Sequence, residues 1–146
     1  MIFAPTRKIP FQAFRAGGSG DISSSHLAWS WSKPNAPDVP TPVCDGPRLY
    51  MVDDGGMITC LDAKTGEVIY GPHDTGVGLI SSSPILADGK IYLTGHTAET
   101  AVVQAGPNYK LLAKNSLDNS WTLSTPAFVD NEIFLRTATT LYCIAK

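Results

Sequence analysis

The sequence of 146 residues has few charged side chains and no long apolar run. Charged residues make up 16% of it, below the usual quarter, and its net charge is −2. Its lysines and arginines are scattered, so we expect no basic face for nucleic acid. No stretch approaches 18 apolar residues, so we expect no membrane insertion, and the N-terminus lacks the apolar region of a signal peptide.

Cysteine is also scarce, and its spacing excludes a disulfide framework. The three cysteines, Cys44, Cys60 and Cys143, are an odd number and include no Cys-x-x-Cys pair. Each lies within an apolar pattern typical of a strand. We therefore predict three unbridged thiols that pack as small buried apolar side chains.

What the sequence does contain is one segment that occurs three times at a constant offset. The copies are PTPVCDGPRLYMV (40–52), SSPILADGKIYLT (82–94) and STPAFVDNEIFLR (124–136), and their central prolines stand 42 residues apart. These prolines are Pro42, Pro84 and Pro126. A period near 40 residues made of short strands is typical of a β-propeller with one blade per repeat. The sequence therefore predicts an all-β fold, a partial propeller with too few repeats to close a ring.

Each repeat has the same order of strands and turns. A first strand follows the proline and leads into an Asp-Gly or Asp-Asn turn, which suits a two-residue hairpin. In the second strand, Tyr50, Tyr92 and Phe134 lie eight residues after their prolines and are expected to fill the layer between neighbouring blades. Third strands are predicted at 57–61, 100–105 and 140–144, and fourth strands at 67–70 and 109–113.

The same pattern predicts how a single domain spanning residues 1–146 divides into blades. We expect about three four-stranded antiparallel blades of about 42 residues, and in addition strands of a preceding blade. The predicted units are residues 1–32 (the end of a preceding blade, with strands at 11–15 and 27–31), 33–80 (a blade), 81–120 (a blade) and 121–146 (an incomplete last blade). We interpret the chain as the C-terminal portion of a larger propeller.

One turn of the first full repeat resembles the repeat of quinoprotein-like (PQQ-like) propellers. That repeat reads Ala-x-Asp-x-x-Thr-Gly-x-x-x-Trp, and CLDAKTGEVIY here matches it at Asp62, Thr65 and Gly66, with Tyr70 in the tryptophan position. Asp and Thr side chains hydrogen-bond such a turn, and glycine provides its positive φ. The second repeat departs from the pattern, since residues 105–108, AGPN, replace the Asp-x-x-Thr-Gly turn.

The resemblance is specific for the fold and weak for function. The family contains quinone-dependent alcohol dehydrogenases and also a scaffold lipoprotein of outer-membrane assembly. Its dehydrogenases hold their cofactor with two adjacent cysteines, a calcium ion and an Asp base. This sequence has no adjacent cysteines and no acidic cluster with calcium-loop spacing. We therefore expect no cofactor, with PQQ and calcium relevant only if the chain is part of an oxidoreductase.

The histidines and one tryptophan are further candidates for a functional role. The histidines His26, His73 and His96 have no neighbouring His or Cys at metal-ligand spacing, so we expect each in a solvated loop. Trp121 stands five residues before Pro126, at the border of the central channel or the top face. It is the one candidate for ligand contact, and packing against the next blade is the alternative.

These observations favour a non-catalytic propeller module that serves protein interaction or scaffolding. The alternative is a fragment of a PQQ-dependent or related oxidoreductase. The resemblance implies a periplasmic or otherwise extracytoplasmic, exported protein. As partners we expect the remaining blades of the parent propeller or a second copy of the chain, together with an unidentified protein.

Overall fold

The computed structural model describes residues 1–5 and 10–145, which fold into short β-strands arranged in four antiparallel sheets. The predicted all-β architecture is confirmed. The described residues contain no helix, and so none that is long and apolar enough to cross a membrane. Two of the sheets have four strands and two have three.

Each sheet is one blade, and its strands follow one another in chain order. Blade I contains β1 (Ile2–Ala4), β2 (Phe11–Phe14) and β3 (Leu27–Trp31); blade II contains β4 (Val43–Cys44), β5 (Arg48–Val52), β6 (Met57–Asp62) and β7 (Val68–Asp74). Blade III contains β8 (Ile85–Ala87), β9 (Lys90–Thr94), β10 (Thr100–Gln104) and β11 (Leu111–Asn115); blade IV contains β12 (Ala127–Val129), β13 (Glu132–Arg136) and β14 (Leu141–Ala145).

The hairpins between first and second strands form where the Asp-Gly signals predict them. Ala87 pairs with Lys90 across a two-residue turn, in which Asp88 has φ 47° and Gly89 has φ 66°. Positive φ at both central positions matches the twist of the flanking strands. In blade II the turn has three residues, Asp45 to Pro47, because the first strand ends one residue earlier than in blade III.

The outer strands differ from the sequence-based prediction. The fourth strand of blade II extends to Asp74 rather than ending at Tyr70, and that of blade III lies at Leu111–Asn115 rather than 109–113. Register shifts interrupt both ladders, at Ile58 to Leu61 and at Val102 to Val103, and such irregularities displace strand ends. The short strand β1 was not predicted, since its three residues carry no alternating pattern.

Two apolar layers hold the first three blades together. The layer between blades I and II contains Phe11, Trp29 and Trp31 from one side and Leu49 and Leu61 from the other. The layer between blades II and III contains Tyr50, Ile58, Cys60, Ile91 and Leu93, with further aliphatic side chains around them. All the residues named in these two layers are less than a tenth exposed, so the blades pack face to face.

One aromatic side chain of each of the first two outer strands, β3 and β7, docks on the next blade. The indole of Trp29 lies over Gly66 so closely that an added Cβ would be 2.7 Å from the ring, and its Nε1 donates to the Ala63 carbonyl at 3.1 Å. Gly66 has φ 73°, so the position favours glycine by conformation as well as by space. One blade further on, Tyr70 packs against Tyr109 with ring centroids 5.9 Å apart.

Hydrogen bonds between the segments that precede the first strands link neighbouring blades at the same interval as the sequence repeat. The Thr41 amide donates to Ser83 Oγ at 3.0 Å, and the Ser83 amide donates to Thr125 Oγ1 at 2.9 Å. Each bond therefore joins positions 42 residues apart. The chain thus repeats one cross-blade contact along the inner edge of the stack.

Blade IV ends the stack with an apolar face open to solvent. Val129 and Leu141 are 53% and 67% exposed, and the pairing of β13 with β12 and β14 places both on the same side of the sheet. Among the described residues no strand pairs with the outer edge of β14. Exposed strand edges and apolar faces promote association with other chains.

We therefore predict that the chain self-associates, as dimers or larger species, in sedimentation velocity at micromolar concentration. Leu141→Lys places a charge on the open face and is expected to shift the distribution towards monomer. Thr139→Lys, an exposed residue in the adjoining turn, is the matched control and is expected to leave association unchanged. A compact monomer of the unaltered chain at these concentrations would contradict the prediction.

Candidate functional site

The loops at one end of the blades are fixed to one another by backbone hydrogen bonds. The His96 amide donates to the Leu79 carbonyl at 2.8 Å, and the Ala138 amide donates to the Trp121 carbonyl at 2.8 Å. The His96 carbonyl in turn accepts from the amide of Thr122 in the segment leading to the next blade, at 2.9 Å. The segment before each first strand is therefore held beside the loop after each second strand.

Four large apolar side chains project from these fixed segments into solvent, and we name them the upper rim. Val39, Leu79, Trp121 and Leu123 are 55%, 64%, 56% and 45% exposed. Leu79 and Trp121 stand 42 residues apart, and Val39 and Leu123 occupy the same repeat position two blades apart. Repeated positions on neighbouring blades lie side by side, so these side chains share one end of the stack.

Trp121 is the most prominent member of the upper rim. Its ring meets the His96 ring edge-on, with centroids 6.3 Å apart, and more than half of the side chain is open to solvent. A shallow cavity of about 190 Å³ lies beside it, lined also by Leu123 and Arg136. The indole therefore does not pack into a layer between blades, and its contact with a ligand remains a prediction.

A polar pair lies beneath the rim. His96 Nε2 and Ser81 Oγ are 2.9 Å apart, and both side chains are partly buried. At the equivalent place in blade II, Asp54 Oδ1 accepts from the Val39 amide at 3.2 Å. A serine-histidine nucleophile needs a third group that orients the base, and the described residues provide no such hydrogen bond to His96. The pair therefore fixes the ring that Trp121 contacts.

The other histidines are dispersed. His26 Nδ1 contacts Ser25 Oγ at 2.8 Å, far along the chain from the rim. His73 was expected in a loop but lies within β7, where its ring stacks on Tyr109 at 4.3 Å, because β7 is longer than predicted. In residues 1–5 and 10–145 no three His, Cys, Asp or Glu side chains are close enough together to hold a metal ion.

The predicted turn residues and thiols have distinct environments. Asp62 Oδ1 accepts from the Lys64 and Thr65 amides at 2.9 Å each, and Thr65 Oγ1 accepts from the Glu67 amide at 3.3 Å. None of the three cysteines is bridged, and burial raises the pKa of the Cys60 thiol to about 12. The expectation of buried thiols is wrong for the other two, which are exposed on the edge strands β4 and β14.

The aromatic residues of the second strands are not equivalent. Tyr50 is fully buried, its hydroxyl donates to Asp45 Oδ2 at 2.7 Å, and it accepts from the Gly106 amide at 2.8 Å. Tyr92 makes no hydrogen bond to a described residue, and its ring packs on Phe128 at 4.7 Å. Phe134 is partly buried in blade IV. Sequence reasoning predicted fillers at all three positions and missed the polar link of Tyr50.

Burial and hydrogen bonding shift the pKa values of Tyr50 and Asp45. Burial, followed by the hydrogen bond to Asp45, raises the pKa of Tyr50 to about 12. Partial burial opposes ionisation of Asp45, but hydrogen bonds from Tyr50 and Arg48 outweigh it and hold the pKa of that carboxyl below its ordinary value. Arg48 Nη1 lies 2.7 Å from Asp45 Oδ2. The group is thus a satisfied polar contact inside the layer between blades II and III.

Comparison with known proteins places the chain by its fold. No family model matches it, and no curated protein matches it. The crystal structure of BamB from Moraxella catarrhalis superposes with a TM-score of 0.63 and 13% identity, over 93% of this chain and 42% of that one. The fold is that of a PQQ-like β-propeller.

A second solved structure is a europium-containing methanol dehydrogenase, with a TM-score of 0.48 and 16% identity over 70% of this chain and 21% of that one. At these identities the likeness concerns the fold alone. The chain spans less than half the length of the BamB chain that it matches.

We predict that Tyr50→Phe lowers the free energy of unfolding by about 1–3 kcal/mol, because it leaves the buried Gly106 amide without an acceptor. Tyr92→Phe, the matched control at the equivalent repeat position, is expected to change it by less than about 0.5 kcal/mol. Urea unfolding followed by fluorescence measures both. Equal losses in the two variants would show that the hydroxyl contact of Tyr50 contributes nothing specific.

The difference in the free energy of unfolding between the unaltered chain and Tyr50→Phe also depends on pH. The folded-state pKa of Tyr50 lies above the unfolded value of about 10. The stability that the Tyr50 hydroxyl contributes is therefore complete below pH 10 and is lost as the pH rises towards 12. The stability difference between the two proteins should shrink over that interval.

Proposed function

We propose that this chain is a non-catalytic propeller module that binds another protein through the upper rim. The observation that carries the proposal is the exposure of four large apolar side chains, 45–64% each, on one end of the blades. Scattered exposed apolar residues are ordinary, but a set that repeats with the blade interval and shares one face is typical of an interaction surface.

The backbone beneath the rim supports this proposal. Leu79 and Trp121 are held by hydrogen bonds from the His96 and Ala138 amides, so their positions are set before a partner arrives. Preformed contact residues reduce the entropy lost on binding. Tryptophan is also enriched among the side chains that contribute most to binding energy, which makes Trp121 the expected anchor.

The partner is a protein with an apolar surface that complements the rim. The remaining blades of a propeller, or a second copy of the chain, would contact the open face of blade IV instead. We also propose a periplasmic or otherwise extracytoplasmic location, which is supported only by the resemblance of the turn at Asp62–Gly66 to exported propeller proteins.

A quantitative affinity capture from an extract of the source cells tests the rim. Trp121→Ala should reduce the captured amount of a specific partner by about tenfold or more, the loss expected of an interface anchor. Leu112→Ala is the matched control, since Leu112 is 40% exposed but lies on β11, away from the rim. A partner captured equally by both variants, or none captured by the unaltered chain, would overturn the proposal.

We further propose that the chain binds no PQQ. It contains no adjacent cysteines, and an open stack of blades does not enclose a flat cofactor on its axis. A titration with PQQ and calcium should therefore give no saturable change in the cofactor's absorbance. Submicromolar binding would favour the oxidoreductase alternative.

A further inference from the structure

The loops between second and third strands carry different side chains at one repeat position beneath the upper rim. That position is Asp54 in blade II, His96 in blade III and Ala138 in blade IV, at intervals of 42 residues. Backbone hydrogen bonds hold all three loops beside the segments that carry the rim side chains. The same place in the fold therefore presents a carboxylate, an imidazole and a methyl group in turn.

Asp54 and His96 are anchored in the same way, by one side-chain atom each. Asp54 Oδ1 accepts from the Val39 amide at 3.2 Å, and His96 Nε2 lies 2.9 Å from Ser81 Oγ. Val39 and Ser81 are themselves equivalent repeat positions, so one contact recurs with different chemistry. Both anchored side chains are half-buried, and the contact restricts their motion before a partner arrives.

Each anchored side chain keeps a second polar atom for another molecule. Asp54 Oδ2 and His96 Nδ1 make no hydrogen bond or ion pair within residues 1–5 and 10–145. The Ser81 hydroxyl can donate to Nε2, and the proton of the neutral ring then lies on Nδ1. Asp54 thus offers an acceptor to a cationic group, and His96 offers a donor to a carboxylate.

Holding the loop in place does not explain these two polar side chains. In blade IV the equivalent positions are Ala138 and Leu123, which have no polar side-chain atom. The Ala138 amide nevertheless donates to the Trp121 carbonyl at 2.8 Å, as the His96 amide does to the Leu79 carbonyl. The loop therefore keeps its place without a polar pair, and the pairs of blades II and III are available for recognition.

Leu79 lies between the two polar side chains. Its carbonyl accepts from the His96 amide at 2.8 Å, and the amide of the adjoining Ile80 donates to the Asp54 carbonyl at 3.0 Å. The Trp121 ring follows on the other side of the imidazole, with the two ring centroids 6.3 Å apart. From Asp54 onwards, the order along the rim is therefore acidic, apolar, imidazole and aromatic.

The charges around the upper rim also differ in sign between its two ends. Asp38, Asp53 and Asp54 give the blade II end three carboxylates. At the blade IV end Arg136 lines the shallow cavity of the rim, and no carboxylate of the described residues forms an ion pair with it. A complementary partner therefore carries positive charge towards blade II and negative charge towards blade IV.

We propose that Asp54 and His96 determine which protein the upper rim binds. The partner places a basic side chain at Asp54 and an acidic one at His96, with an apolar side chain between them on Leu79. This inference rests on the proposed function of the upper rim and adds the chemistry of the partner to it. Electrostatic complementarity of this kind discriminates among partners that present similar apolar surfaces.

A random heptapeptide library displayed on phage tests which chemistry the rim selects. Sequences selected by the unaltered chain should contain a basic and an acidic residue on either side of an apolar one. Selection of apolar sequences without that charge pattern would overturn the inference. So would a library from which the unaltered chain selects no sequence.

Fluorescence anisotropy of the strongest selected peptide, synthesised with a label, then assigns each charge. Asp54→Asn keeps the oxygen that accepts from the Val39 amide, and His96→Gln keeps a polar atom in place of Nε2 but has none in place of Nδ1. Each should weaken binding about fivefold or more. The loss in Asp54→Asn should vanish when the basic residue of the peptide is replaced by glutamine, and the loss in His96→Gln when the acidic residue is replaced.

The peptide replacements need no change in the chain, so the test does not depend on the folding of the variants. Each replacement should weaken binding to the unaltered chain by a similar factor, and unchanged affinity would overturn the inference. Asp88→Asn, which removes an exposed carboxylate at the opposite end of blade III, is the matched control and should bind as the unaltered chain does.

Trp121→Ala separates this inference from the proposed function. A selected peptide that binds Trp121→Ala weakly, but Asp54→Asn and His96→Gln normally, would support the rim as a binding surface and overturn the inference alone. A peptide whose affinity is the same for all three variants binds elsewhere, and that result would count against both. Circular dichroism of each variant confirms that the sheets remain folded.

Discussion

The stack of blades depends on hydrogen bonds between the segments that lead into the first strands of neighbouring blades. In each bond a backbone amide of one blade donates to a side-chain hydroxyl of the next. Thr41, Ser83 and Thr125 occupy one repeat position, and the hydroxyls of Ser83 and Thr125 accept from the amides of Thr41 and Ser83 of the preceding blade. Because a short inner strand offers few other polar contacts across blades, this bond fixes the spacing of the sheets at their inner edge. The buried aromatic layers then fill the widening space behind it.

The same regularity produces the upper rim, and it is interrupted once between the last two blades. At one end of the blades, the backbone amides and carbonyls of the loops hydrogen-bond to one another. Side chains such as Leu79 and Trp121 are not needed to hold these loops and face solvent. Between blades III and IV the regularity fails at Ala113, where the preceding blades provide Trp29 and Tyr70.

Sequence reasoning predicted what depends on period and local chemistry. The 42-residue offset and the Asp-Gly pairs indicated the sheets and hairpins, and the Asp-x-x-Thr-Gly motif indicated the turn in which Gly66 has positive φ. The bond between Tyr50 and Gly106 joins residues 56 positions apart and requires the packed blades to be seen. Of the upper rim only Trp121 was predicted as a candidate, although its 42-residue spacing from Leu79 was a visible signal for a second member.

Amide hydrogen exchange measured by NMR tests the central claim most directly. If the inner-edge bonds hold the blades together, the Thr41 and Ser83 amides, which donate only across blades, should exchange slowly, in the range of the β5–β6 ladder. Both amides precede strands and have no partner within their own sheet. Exchange of these amides at the rate of an unstructured peptide, with the β5–β6 ladder still protected, would show that the sheets fold without being joined in this way.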